Sequence, residues 1–104
     1  MISKDLLFIS GKNIISIINI NYYELIREIE IPNSGMINGA CLLNKNILFT
    51  GDDTGIIREW KIEEDNLILI SKKKNAHENF ISTLLNIGNE HIVSTSRDNS
   101  IKIW

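Results

Sequence analysis

The sequence predicts an all-β chain of short antiparallel strands, and three observations lead there. Isoleucine and asparagine make up about a third of the residues. The first favours strands and the second turns, while strong helix formers are thinly spread. Apolar runs of about five residues alternate with clusters of Gly, Asn and Asp. Finally, the stretch ending at Trp60 returns, 44 residues later, as the stretch ending at Trp104.

Taken in order, residues 5–10 read as a strand, Gly11-Lys12-Asn13 as a tight turn and residues 14–20 as a second strand. Residues 24–31 (Glu-Leu-Ile-Arg-Glu-Ile-Glu-Ile) alternate over their latter half, as a half-buried strand does. A helix competes there, because Leu25, Ile26 and Ile29 also fit helical spacing. Pro32-Asn33-Ser34-Gly35 ends the segment either way. Residues 36–43 follow as an uncharged strand with Gly39 and Ala40 at its centre, the composition of an innermost strand approached closely by other backbone. Residues 47–50, 56–62 and 67–71 are the next strands, separated by turns at 44–46, 51–55 and 63–66. The last unit places strands at 80–87, 91–96 and 100–104, with turns at 88–90 and 97–99. The three units therefore carry three, four and three strands.

A shift of 44 superimposes the last two units without a gap. Ile37 meets Ile81, Thr50 meets Ser94, Arg58 meets Lys102 and Trp60 meets Trp104, which pairs the only two tryptophans. A period of 40 to 45 residues with four strands per unit is the sequence signature of a propeller blade.

On these residues the chain resembles the WD-repeat β-propeller family. The likeness covers about two and a half blades: 1–31 as a degenerate partial blade, 32–75 as a blade with an incomplete motif, and 76–104 as a blade without its outer strand. Ala76-His77 stands for the family's Gly-His, and residues 94–104 for its strand-turn-strand ending in Trp. The resemblance implies a buried hydrogen-bonded tetrad of His77, Ser94, Asp98 and Trp104. Such a network has its own logic, since a buried indole N–H needs an acceptor and a buried imidazole needs its tautomer held. In the earlier blade Asn33 stands where the His should be and Thr54 where the Asp should be, which leaves Thr50 and Trp60 as a partial tetrad.

The resemblance also implies a non-enzymatic protein-interaction scaffold that binds other proteins along one rim. The matching rim positions are Glu78, Phe80 and Arg97 in the last blade, and Ser34, Met36 and Asp53 in the one before it. Phe80 and Arg97 lead, because aromatic and Arg side chains dominate interface hot spots. Two to three blades cannot close a ring, which takes about four or more. The chain is accordingly read as part of a larger propeller, or as one completed by further blades from the same or another chain.

Other chemistries fit less well. Ser94, His77 and Asp98 would suit a small serine hydrolase, but Ser94 lies in an apolar strand without a nucleophile elbow or a glycine-rich oxyanion loop. A repeat-derived β domain with no function of its own is the other alternative. No zinc spacing exists among His77, His91 and Cys41, no phosphate loop follows Gly51 or Gly55, and no cofactor is expected. The segment 52–55 reads as a turn with solvated carboxylates, and Lys72-Lys73-Lys74 as a solvated strand end. A net charge of −2 gives no basic footprint for nucleic acid. No run reaches the roughly 18 apolar residues of a spanning helix, so no membrane partner is expected. The lone Cys41 points to an intracellular, cytoplasmic protein.

Overall fold

The structure, a computed structural model, describes residues 2–3, 5–88 and 90–104. They form three antiparallel sheets and no helix. The first sheet is β1 (Ile2–Ser3), β2 (Leu6–Ser10), β3 (Ile14–Asn19) and β4 (Glu24–Glu30), side by side in that order. The second is β5 (Ile37–Asn44), β6 (Ile47–Asp52), β7 (Ile57–Glu63) and β8 (Asn66–Lys73), again in chain order. The third is β9 (Ile81–Asn86), β10 (Ile92–Ser96) and β11 (Ile101–Ile103).

Two expectations need correcting. The first unit has four strands, because Ile2 and Ser3 pair with Leu7 and Leu6. A two-residue strand is too short to show any periodicity, so the pattern misses it. β6 also runs on to Asp52, drawing into the sheet a carboxylate that was assigned to a solvated turn. Of the two readings of residues 24–31, the strand is the one formed. The turn expected at 88–90 includes Asn89, which lies outside the described residues.

The repeat extends to the pairing register. Ile37–Asp52, Ala40–Thr50 and Leu42–Leu48 in the second sheet become Ile81–Ser96, Leu84–Ser94 and Asn86–Ile92 in the third, each 44 residues on. The asparagines explain themselves at the turns. Asn13, Asn33, Asn75 and Asn99 hold φ of 62°, 65°, 57° and 69°, the left-handed region that Asn tolerates better than other side chains.

The sheets stack face to face through two apolar layers. Phe8, Ile15 and Ile17 of the first sheet meet Ile37, Leu48, Trp60 and Leu67 of the second. Cys41 and Ile57 of the second meet Ile81, Leu84 and Ile92 of the third. Cross-strand partners Gly39 and Gly51 open a window for β9. A Cβ at Gly51 would lie 2.6 Å from Ile81 Cγ2, and one at Gly39 would lie 3.0 Å from Leu84 N. Close backbone approach is the reason for small residues at this point.

Candidate functional site

The third sheet is pinned by a chain of polar groups. β10 carries Ser94, the loop after β8 carries His77, the β10–β11 turn carries Asp98, and Trp104 follows β11. Trp104 Nε1 donates to Ser94 Oγ at 2.8 Å. Ser94 Oγ lies 2.6 Å from His77 Nε2, and His77 Nδ1 lies 2.9 Å from Asp98 Oδ2. The donor inventory sets the direction: indole N–H to hydroxyl, hydroxyl to Nε2, and Nδ1–H to carboxylate. Ser100, absent from the sequence reading, joins as well. Its Oγ lies 2.9 Å from His77 Nδ1 and donates to Asp98 Oδ1. An acid followed two residues later by a hydroxyl was the available signal.

Asp98 also accepts the backbone N–H of Glu78 at 3.0 Å and that of Ser100 at 2.9 Å. The Ser100 hydroxyl above all holds its carboxyl well below the usual carboxylate range; burial, the next influence in size, opposes it, and the N–H of Glu78, His77 and the N–H of Ser100 add to the lowering. A depressed folded value means the ionised form stabilises the fold above the unfolded pKa of about 4. That contribution is lost as pH falls from there toward the folded value. Urea midpoints compared between pH 6 and pH 3 should therefore fall less in Asp98→Asn than in the wild type.

The serine–histidine–aspartate order is that of a catalytic triad. Ser94, however, is fully buried, and its oxygen is engaged by Trp104. Cys41 is equally withdrawn, with burial pushing its thiol up to about 11, so the reactive thiolate is scarce at neutral pH. Among the described residues, no group of three or more His, Cys, Asp or Glu side chains is placed to hold a metal ion.

The second sheet holds itself together differently. Trp60 Nε1 donates to Thr50 Oγ1 at 3.0 Å, which is the expected partial arrangement. Asn33 is exposed and Thr54 donates to Asp52 Oδ1 through both its N–H and its hydroxyl. Asp52 is 2% exposed and Arg58 7% exposed, and the two form a buried ion pair. In repeat register they stand where the third sheet has Ser96 and Lys102. The cation sits on a strand in both sheets, whereas the carboxylate has moved from the turn, where the third sheet has Asp98, onto the end of β6 at Asp52.

The rim residues divide. Met36 (44% exposed), Asp53, Phe80 (40% exposed) and Arg97 line one cleft of about 490 Å³ between the second and third sheets. Asn38 and Ser82 complete it. They lie on β5 and β9, two residues beyond Met36 and Phe80 just before those strands, so that carrying the alternation on from the rim positions would have found both. Asp53 Oδ2 accepts Met36 N–H at 3.0 Å and Oδ1 accepts Asn38 Nδ2 at 2.8 Å. The Arg97 guanidinium lies over the Phe80 ring, 5.5 Å from its centroid. Glu78 is exposed but outside the lining.

Ser34 is a correction. It is fully buried, with its hydroxyl 3.0 Å from Gly35 O and 3.3 Å from Asn13 Oδ1, and it braces the loop instead of facing a partner. Its neighbour Asn33 takes the left-handed, exposed position and turns Ser34 inward.

No family model matches the chain. It is 33% identical over 89 residues to the WD repeat-containing protein 55 homolog of Dictyostelium discoideum, a match covering 85% of this chain and 21% of that protein. Its fold superimposes on a chain in the structure of U3-55K with a TM-score of 0.81 at 14% identity, covering 96% of this chain and 30% of the other. It superimposes on a chain in the crystal structure of the mitotic checkpoint complex with a TM-score of 0.81 at 18% identity, covering 96% and 31%. The curated relatives are WD repeat-containing proteins, and the chain has the fold of a WD-repeat β-propeller segment. It spans about a fifth of the length of that first relative. Within the WD-repeat frame, the third sheet is the blade with the full polar motif, and the second replaces half of the motif with the Asp52–Arg58 pair.

Proposed function

We propose that this stretch of WD repeats is a non-catalytic protein-interaction platform whose contact surface is the cleft between the second and third blades. One observation carries the reading: Met36, Phe80 and Arg97 are exposed together at a rim held rigid by the blade networks beneath it. Exposed apolar side chains grouped at a cleft edge mark interaction sites. The burial of Ser94 supports scaffolding over hydrolysis, and the net charge of −2 supports proteins over nucleic acid as partners. The buried, lone Cys41 supports a location inside the cell. Further blades, in the same or another chain, would extend the platform.

The test compares partners. Proteins retained by the tagged wild-type chain should be lost from a Met36→Ser/Phe80→Ser variant whose urea midpoint is unchanged. If that variant retains them all, the rim is not the contact surface. Covalent labelling of Ser94 by a fluorophosphonate would overturn the non-catalytic assignment.

A further inference from the structure

We infer that the rim cleft selects a peptide segment carrying one carboxylate beside an apolar side chain, with Arg97 as the residue that reads the carboxylate. The inference rests on the platform reading above and names the chemistry of its partner.

The cleft has three parts of different character. Phe80 and Met36 supply its apolar surface. Arg97 supplies a cation whose own carboxylate is missing: among the described residues no acid lies within ion-pair reach of it. Its guanidinium lies over the Phe80 ring, 5.5 Å from the centroid. A guanidinium held against a ring face loses rotamer freedom in advance and still offers N–H donors to a carboxylate, which it can meet two-pronged at low entropic cost. The backbone N–H of Arg97, donating to Phe80 O at 3.0 Å, fixes the two residues to each other.

Asp53 sets the limit on charge. Both its oxygens accept internal bonds, from Met36 N and Asn38 Nδ2, so it is held in place as a fixed negative wall of the same cleft. A single carboxylate placed at Arg97 is accommodated. A run of acids, or a doubly charged phosphate, brings a second negative charge toward Asp53 and is disfavoured.

The experiment is a titration of the isotope-labelled 104-residue chain with capped hexapeptides that carry one leucine next to one variable residue. The variable residue is glutamate, glutamine, phosphoserine or a run of three glutamates. The expected result is that the glutamate peptide shifts the amide signals of Met36, Phe80 and Arg97. It should bind about tenfold more tightly than the glutamine peptide, the scale of one charge-assisted contact. Arg97→Gln, an exposed change outside the core, should bring the two peptides to equal affinity while leaving the chain folded. Equal affinities in the wild type would overturn the inference and leave the platform standing. So would a preference that persists in Arg97→Gln. Tighter binding of phosphoserine or of the glutamate run would replace the single carboxylate by an anion site of another kind. If no peptide moves the Met36 and Phe80 signals, the platform reading falls together with the inference.

Discussion

Arg58→Ala is expected to cost about 3–5 kcal/mol of unfolding free energy, because it leaves a buried carboxylate without its cation. Asp52 is 2% exposed and cannot recover water, and the Thr54 donors satisfy only one of its oxygens. The loss is a large fraction of what a domain of this size has, about 5–15 kcal/mol. Urea unfolding followed by intrinsic fluorescence measures it, with Trp60 buried in the same sheet as reporter. The double variant Asp52→Ala/Arg58→Ala should lose much less than the sum of its single variants, since no lone charge remains inside. A single-variant loss below about 1 kcal/mol, the ordinary worth of a surface pair, would mean that the ion pair is hydrated.

His77→Ala is expected to cost about 2–4 kcal/mol through two separate effects. It removes the acceptor of the Ser94 hydroxyl, which is fully buried, and an orphaned buried group costs about 1–3 kcal/mol. It also leaves a void under the loop next to Ala76, where packing contacts are lost. The contrast is Trp60→Phe, which deletes the bond to Thr50 and trims the buried indole to one ring that still fills most of its place in the core. That change should cost about 1 kcal/mol. Equal effects of the two substitutions would show that the His77 network contributes no more than a single hydrogen bond.

The two blades illustrate how far a motif can be carried by position alone. In the third, residue type and spacing pointed to His77, Ser94, Asp98 and Trp104, and the fold places all four within hydrogen-bond reach of one another in series. In the second, the same positions hold Asn33, Thr50, Thr54 and Trp60, and only Thr50 and Trp60 meet. The substitute pair was invisible as a pair, because Asp52 and Arg58 each look like ordinary residues of a turn and a strand. Their burial depends on the neighbouring sheet.

What the sequence determined by itself is local and periodic. Strand and turn chemistry, alternating burial and the 44-residue offset need only neighbours along the chain, and they suffice for an all-β array of blades with a repeated register. The tertiary structure alone decided the short edge strand β1, the inward turn of Ser34, the burial of Asp52 with Arg58, and which of the rim positions (Met36, Asp53, Phe80 and Arg97, without Glu78) line one cleft. Each of these depends on which sheet faces which, and burial, charge pairing and concavity are properties of two surfaces together. No window along one strand contains that information.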